Sequence, residues 1–275
     1  MRAVLTTLLL ATVAILAFAG NSLLARTALA DGAIEAGAFS AIRLASGALV
    51  LLPFLGQRPA LSDAPGAVAL AVYVGGVSLA YLSLDTASGA LILFAFVQAT
   101  ILLLGWLRGE RLSLGGWLGL ALAMGGLIVL LAPGTEGVPI GPATLMAMAG
   151  VAWGAYTLIG RGATNPTQST ARYFLIAALL VAPMLALDSA APQWEGVVLA
   201  AASGTITSAL GYIVWYKVTP RLGLATVAGV QLATPVVAGI GGVALLDEQL
   251  GWRLFAGAGL ILSGIILTLA KPTSR

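Results

Sequence analysis

Stretches of about twenty apolar residues with almost no charge dominate this sequence. A helix needs about 20 such residues to cross the hydrocarbon core of a bilayer. Ten stretches qualify, at 3–25, 34–55, 65–84, 86–107, 113–132, 141–160, 169–187, 195–216, 221–245 and 252–270. The connectors are short and contain prolines and glycines, which end helices. Because open strands leave backbone groups unpaired in lipid, the sequence predicts an all-α integral membrane protein with ten transmembrane helices.

The composition agrees with this class and excludes several others. Only 8% of the residues are charged, whereas soluble domains carry about a quarter. The chain contains no cysteine and no histidine, which excludes disulfides, thiol chemistry and histidine-based metal or acid–base sites. No basic patch with interleaved aromatic residues is present, so nucleic acid is not an expected partner. We predict no cofactor and no metal, and the expected partners are the lipid bilayer and a small-molecule substrate.

The basic residues predict the orientation of the chain. If the loops alternate between two sides, most of the 13 lysines and arginines fall on the side of the N-terminus. They are Arg2, Arg58, Arg108, Arg111, Arg161, Arg172, Lys217, Arg221, Lys271 and Arg275. Basic loops face the cytoplasm, so we expect both termini to be cytoplasmic and the protein to lie in the cell (inner) membrane. Residues 1–20 also fit a cleaved signal peptide by pattern alone, an alternative that the internal repeat argues against.

Four pairs of similar segments occur in the same order in the two halves of the chain. Ala17–Arg26 resembles Ala152–Arg161, and Leu49–Pro53 matches Leu179–Pro183. The other matched positions are Tyr81 with Tyr216, and Glu110, Leu112, Gly119 and Gly126 with Glu248, Leu250, Gly257 and Gly264. Five spans per half is an odd number, so the second copy must be inverted relative to the first. The sequence therefore predicts two inverted five-helix repeats, 1–137 and 138–275, with the substrate site between them near the midplane.

Two turns, Gly109-Glu110-Arg111-Leu112 and Asp247-Glu248-Gln249-Leu250, each precede a glycine-rich span. With Asn21 and Trp153-Gly154-Ala155-Tyr156, they resemble the EamA-type ten-helix branch of the drug/metabolite transporter (DMT) superfamily, and the resemblance covers the whole chain. Within that branch the sequence is most similar to the YddG-type aromatic amino-acid exporters. The resemblance implies a monomeric carrier that works by alternating access. It also implies a central cavity lined by spans 1, 3, 4, 6, 8 and 9.

Polar and aromatic residues inside the spans are the candidates for this cavity, because polar groups deep in a bilayer are costly and mark functional sites. The predicted lining is Phe18, Asn21, Tyr81, Phe94, Gln98, Trp153, Tyr156, Thr157, Ser208, Tyr212, Trp215 and Gln231. Such a lining suits a zwitterion or an organic cation with an apolar or aromatic side chain. Tyr73, Tyr216 and Trp194 fit an interfacial anchor as well as a lining role. Trp106, Trp117 and Trp252 are predicted to be anchors.

Arg43 is the one charge placed well inside a span. One interpretation is a structural cation that bonds to helix carbonyls or extends toward the outer face. The other is a gate residue that pairs with an outer carboxylate such as Asp85 or Asp31. No carboxylate and no histidine lies mid-span, which favours gradient-driven, facilitated efflux over proton antiport through a buried carboxylate.

The sequence thus predicts an exporter of small amphipathic metabolites, foremost aromatic and neutral amino acids, with organic cations as a further class. Carriers of nucleosides, sugar derivatives or drugs remain open, as do a channel and a lipid scramblase. An intramembrane enzyme is disfavoured, because the membrane-embedded residues supply hydroxyls but no base to activate them.

Overall fold

Helices make up the whole regular structure of the described residues, and no strand occurs among them. The structure is a computed structural model and describes residues 2–107, 114–131, 138–222, 230–231, 233–249 and 251–269. Within these ranges the helices are α1 (Arg2–Ala30), α2 (Ala36–Leu51), α3 (Ala64–Ala80), α4 (Thr86–Leu107), α5 (Leu114–Leu131), α6 (Ile140–Arg161), α7 (Pro166–Val181), α8 (Trp194–Val218), α9 (Ala233–Leu246) and α10 (Trp252–Leu269). The predicted all-α fold class is confirmed.

The dimensions and surface of the bundle are those of a membrane protein. Seven described helical stretches are long and apolar enough to cross a membrane, and Leu114–Val129 and Ala233–Leu246 are shorter apolar helices. Large apolar side chains such as Leu49, Leu179 and Ile240 are exposed on the outside of the bundle. A soluble monomer rarely exposes apolar surface on this scale, so these faces contact lipid.

Two helix boundaries differ from the predicted spans. α1 continues to Ala30 instead of ending near residue 25, because the Arg26 side chain finds a carbonyl and a carboxylate within the protein. The predicted span at 221–245 corresponds to α9, which the structure describes from Ala233 to Leu246. Residues 230–231 are also helical. The Gly109–Leu112 turn, Leu250 and the boundary predicted at 137 lie at least partly outside the described residues.

Prolines at matched positions end α2 and α7 in the same way. Pro53 and Pro183 each stand at the second position of a 3₁₀ segment, Leu52–Phe54 and Ala182–Leu187. Proline has no N–H to donate and its ring clashes with the preceding turn, so the α-helix changes to the tighter 3₁₀ form.

α8 contains a π-helical segment at Ser203–Leu210, between α-helical parts at Trp194–Ala202 and Gly211–Val218. Within it, the Thr207 hydroxyl oxygen lies 3.0 Å from the Ser203 carbonyl oxygen. π-helical turns are rare in proteins, and those that do occur are often found at functional sites. This one lies in the middle of the bundle, against α1 and α2.

The helix contacts repeat when each helix is exchanged for the one five places along the chain. α1 packs on α8 and α9, and α6 packs on α3 and α4. α2 packs on α7 and α8, and α7 packs on α2 and α3. α5 pairs with α10, and both also contact α4. The pattern is the one expected of two five-helix halves, and that division stays a prediction.

Candidate functional site

Aromatic rings from four helices meet in the middle of the bundle and form what we call the central aromatic cluster: Phe18, Tyr73, Trp153, Tyr156, Tyr212 and Trp215. The Trp153 ring lies at its centre, with its centroid 4.8 Å from those of Tyr73 and Tyr212. It stacks on Tyr156 at 5.3 Å with an angle of 21° between the planes. These distances are those of favourable aromatic pairs.

Phe18 of α1 joins the cluster to α8. Its ring makes edge contacts with Trp153 and Trp215, each at 5.4 Å between centroids. Phe174 and Tyr216 extend the cluster at its rim, through contacts with Tyr212 and Tyr156 respectively. All eight of these side chains are buried in this conformation.

Arg43 of α2 points into this cluster. Its side chain is fully buried, and it lies about 10 Å along the helix axis from Ala36 at 1.5 Å per residue. Nε donates to the Ser208 hydroxyl at 3.1 Å, and Nη2 donates to the hydroxyls of Tyr73 and Tyr212 at 3.3 and 3.4 Å. The guanidinium carbon also lies 5.3 Å from the centroid of the Tyr73 ring. Arg43 therefore does not extend to a membrane surface.

Asn21 of α1 is buried against the π-helical segment of α8. Its Oδ1 accepts hydrogen bonds from the hydroxyls of Ser203 at 2.8 Å and Ser208 at 3.2 Å, and from Thr207. Its Nδ2 donates to the Thr207 carbonyl oxygen at 3.2 Å. Ser208 thus links the guanidinium of Arg43 to the amide of Asn21, and such a chain of hydrogen bonds polarises its members.

The remaining lining candidates are all buried but differ in their contacts. Trp153 Nε1 donates to Gln231 Oε1 at 3.2 Å, which places Gln231 beside the central aromatic cluster. Phe94, Gln98 and Thr157 are buried on α4 and α6. Among the described residues, no ring contact joins Tyr81 or Phe94 to the cluster.

Tyr81 instead lies at the end of α3, where a network joins the two halves on the side predicted to be external. Arg26 donates to the Tyr81 carbonyl oxygen at 3.1 Å, and its Nε lies 3.5 Å from Glu248 Oε1. The Glu248 carboxylate accepts from the backbone N–H of Thr86 at 2.9 Å and from the Thr86 hydroxyl at 2.9 Å. A carboxylate from the second half therefore caps the N-terminus of α4, where the helix dipole favours negative charge.

Asp85, predicted as a gate residue, caps the same helix. Its Oδ1 accepts from the backbone N–H of Ser88 at 2.7 Å. The predicted pairing of Arg43 with Asp85 or Asp31 is not present in this conformation, because the described ion pairs join Arg26 to Glu248 and Arg172 to Asp63. Arg43 instead contacts hydroxyls of α3 and α8.

Two more carboxylates join the α1–α2 and α7–α8 loops on that side. Asp188 accepts from the backbone N–H groups of Gly37 at 3.0 Å and Ala38 at 2.6 Å, at the start of α2. Glu35 accepts from the backbone N–H and the hydroxyl of Ser189 at 2.9 and 2.8 Å. The hydrogen bonds from Ser189 favour the ionised form and lower the pKa of Glu35.

Tyr73, Tyr216 and Trp194 each fitted two predicted roles, a cavity lining and an interfacial anchor. Tyr73 and Tyr216 are buried in or beside the central aromatic cluster, so they are not interfacial anchors. Trp194 is exposed, as are Trp106, Trp117 and Trp252, which were predicted to be anchors. Tyr73 stands eight residues before Tyr81 on α3, and that helical spacing was the available signal that it faces inward.

Open grooves lie on the outside of the bundle. One of about 570 Å³ runs along α3, α4 and α6 and is lined by Val72, Phe96 and Val151. Its lining is almost wholly apolar and includes exposed residues. Such a groove suits an acyl chain, and Thr144 is the one described residue of its lining with a polar side chain.

Comparison with known proteins gives the family. Residues 141–270 match the EamA-like transporter family. An uncharacterized protein of Pseudomonas aeruginosa is 48% identical over 276 residues, which cover 98% of this chain and 96% of that protein. A protein of Archaeoglobus fulgidus described as an uncharacterized transporter is 26% identical over 239 residues, 83% of this chain and 86% of its own.

The fold is also found in a solved structure. A crystal structure of another protein aligns with 96% of this chain and 97% of its own, at a TM-score of 0.71 and 22% sequence identity. The resemblance deduced from the two acidic turns and the glycine-rich spans is therefore confirmed at the level of the family. This chain belongs to the EamA-like transporter family and is a multi-pass membrane transporter.

Proposed function

We propose that the protein exports small amphipathic metabolites, foremost aromatic and neutral amino acids, across the cell (inner) membrane by alternating access between its two halves. The central aromatic cluster around Arg43 carries this proposal. It offers ring faces for an apolar side chain, together with hydroxyl, amide and guanidinium groups for the polar ends of an amino acid. Both termini are cytoplasmic in this scheme, and one chain suffices.

Alternating access follows from the way the centre is closed. The rings at the centre are buried against one another, and the Glu248 network joins the first half of the chain to the second at one end. A substrate therefore reaches the centre only when the halves move relative to each other. Such rocking about a midplane site is the mechanism of transporters built from inverted repeats.

The transport step is driven by the substrate gradient. Among the described residues, the carboxylates with hydrogen-bond or ion-pair partners lie at helix ends and in loops, as Asp63, Asp188 and Glu248 do. Proton-coupled carriers place such groups along the path. Uptake that tracks an imposed pH gradient in the absence of a substrate gradient would contradict this part of the proposal.

A counterflow experiment in proteoliposomes tests the function. Vesicles are loaded with unlabelled L-phenylalanine, L-tryptophan, L-leucine or tetraethylammonium and diluted into the same labelled compound at low concentration. We expect transient, saturable accumulation of the amino acids, with the aromatic ones leading. Accumulation of tetraethylammonium alone would contradict the substrate class. Non-saturating flux would indicate a channel, and lipid movement without counterflow would indicate a scramblase.

A further inference from the structure

Arg43 presents a positive charge that the described protein does not neutralise. Three of its hydrogen bonds go to hydroxyl groups, which carry no charge. Within the described ranges, no carboxylate lies within ion-pair distance of it, since the ion pairs found there belong to Arg26 and Arg172. Its Nη1 is buried and has no hydrogen-bond partner among the described residues.

Such an arrangement is costly unless something else binds there. An arginine at the centre of a membrane helix costs about 2.5–3.5 kcal/mol on insertion scales. A buried donor left without an acceptor adds about 1–3 kcal/mol. The fold has cheaper ways to fill the position, because the matched position of α7 in the second half, at the offset of 130, is Tyr173.

The surroundings of Nη1 define the chemistry of the missing partner. Arginine binds carboxylates through parallel N–H···O hydrogen bonds, with a charge on each side. The guanidinium lies beside the rings of Tyr73 and Tyr212, whose hydroxyls accept from Nη2. The Trp153 ring lies 4.8 Å from each of these two rings. A ligand held at the guanidinium by an anionic end would lay its apolar body against these rings.

We propose that Arg43 binds the carboxylate of the transported molecule, so that the substrates are monocarboxylates with an apolar or aromatic body. This inference rests on the proposed transport function and deepens it by assigning the charged end of the substrate to one residue. It disfavours organic cations as substrates, because a cation at this point would face an unneutralised guanidinium. Arg43 and the rings beside it are buried in this conformation, so the carboxylate enters when the halves separate.

A ligand series separates the carboxylate from the amine. The probes are L-phenylalanine, 3-phenylpropionate, L-phenylalaninamide and 2-phenylethylamine, and binding to the purified protein in detergent is measured by tryptophan fluorescence or thermal shift. We expect the two carboxylates to bind at least tenfold more tightly than the amide and the amine. Equal or tighter binding of the amide and the amine overturns the proposal.

Substitutions of Arg43 test whether this residue causes the preference for carboxylates over the amide and the amine. We expect Arg43→Gln to reduce the ratio between carboxylate and amide affinity to about one, and Arg43→Lys to leave an intermediate ratio. Arg172→Gln removes an arginine of α7 that is ion-paired with Asp63, and we expect it to leave the ratio unchanged. A purely structural arginine would weaken all four ligands equally. If Arg43→Gln does not fold, Arg43→Lys decides, and an unchanged ratio in that variant overturns the proposal.

The outcomes distinguish this inference from the proposed function. Arg43-dependent binding of 3-phenylpropionate, without counterflow of any amino acid, removes amino acids as the cargo and leaves the carboxylate site standing. Counterflow of L-phenylalanine that discriminates against its amide equally well in Arg43→Gln supports the cargo and overturns the site.

Discussion

The amide of Asn21 connects two helices that are far apart in sequence. Its oxygen accepts from the hydroxyls of Ser203, Thr207 and Ser208, all in the π-helical segment of α8. Lipid supplies no alternative partners for these groups, so each one relies on the protein. The same amide supports Ser208 in its contact with Arg43. Asn21 therefore positions the polar part of the site as well as the helices that carry it.

Replacing Asn21 with alanine removes the acceptor of three hydroxyls in a buried place. We expect Asn21→Ala to lower the stability of the protein by about 1–3 kcal/mol, the cost of leaving buried polar groups unsatisfied. Thermal unfolding in detergent measures the change. Thr144→Ala is the control, because that hydroxyl bonds only to the carbonyl oxygen of Ile140 one turn earlier and is exposed. An equal effect of the two variants would contradict the role given to Asn21.

Trp153 and Trp194 form a matched pair of tryptophans, one at the centre of the bundle and one exposed. Trp153→Ala removes ring contacts with Tyr73, Tyr156 and Tyr212, each of which contributes about 0.5–1.5 kcal/mol. We expect counterflow of the preferred substrate to fall at least tenfold. Trp194→Ala keeps most of the activity.

The Trp153 comparison needs a check on folding. Trp153→Phe retains a ring but loses the hydrogen bond to Gln231, and we expect activity between those of wild type and Trp153→Ala. Gel filtration of all three variants shows whether they remain folded. Full activity of a folded Trp153→Ala would show that the substrate does not pass this ring.

The sequence located many of the residues at this site but not their partners. Phe18, Trp153, Tyr156 and Tyr212 were predictable, because rare polar or aromatic groups in a long apolar helix stand out and their spacing indicates one face. The partners of Arg43 were not, since Tyr73 lies 30 residues away and Ser208 lies 165 away. No local sequence pattern shows which faces of different helices meet in the folded protein. The distance of a residue from the end of a span also does not show how deeply its side chain is buried.

Among the helices, α5 and α10 show how matched glycines set a close contact. A Cβ placed on Gly126 would lie 2.7 Å from the carbonyl oxygen of Gly257, and one placed on Gly264 would meet the carbonyl oxygen of Gly119. Gly119 corresponds to Gly257 and Gly126 to Gly264 in the sequence repeat, so one contact is the repeat image of the other. Small residues allow such close packing of membrane helices.

Neighbouring glycines on α5 provide a test of this contact. We expect Gly126→Ala to destabilise the protein by about 1–3 kcal/mol, because an added methyl group overpacks the interface. Gly125→Ala changes stability little, since nothing lies within 4 Å of a Cβ at that position. Thermal unfolding of the two single variants gives the comparison, and similar melting temperatures would contradict it.

The positions of the helices were easier to predict from the sequence than their caps and the π-helical segment. Span length and apolar content are local properties, so nine of the described helices lie close to their predicted ranges, and the described part of α9 overlaps the second half of its predicted range. The π-helical segment of α8 had no local signal, because its Ser, Gly and Thr residues also fit an ordinary helix. The cap of α4 was also unpredictable, since the carboxylate comes from Glu248, 162 residues away.

At the scale of the whole molecule, acidic side chains form hydrogen bonds between the two halves on the side predicted to be external. Glu248 caps α4, Asp188 caps α2, and Glu35 holds the backbone of the α7–α8 loop. All three belong to loops predicted to face outward, and each bond joins the first half to the second. The molecule is therefore closed on that side in this conformation. Access from that side requires these charge-assisted bonds to break.

Neutralising Glu248 is expected to loosen this closure. Glu248→Gln removes the charge that interacts with Arg26 and with the N-terminus of α4. The chain has no cysteine, so Ser88→Cys, just below the network and buried, introduces a single reporter thiol. A membrane-impermeant maleimide, added from the side of the network, should modify this thiol about tenfold faster in the Glu248→Gln background, the factor that corresponds to 1.4 kcal/mol.

Glu195 gives the matched control, because it is an exposed acidic residue on the same side of the protein. Glu195→Gln removes the same charge without touching the contact between the halves, and labelling of Ser88→Cys should stay at its original rate. If the Glu248 network closes the outer side, added substrate should also slow the labelling of Ser88→Cys. This effect should be smaller in the Glu248→Gln background than in Ser88→Cys alone, because Glu248→Gln has already depleted the state that is closed on the outer side. Equal labelling rates in the two glutamine variants would show that other contacts keep this side shut, with Asp188 and Glu35 the next to be replaced.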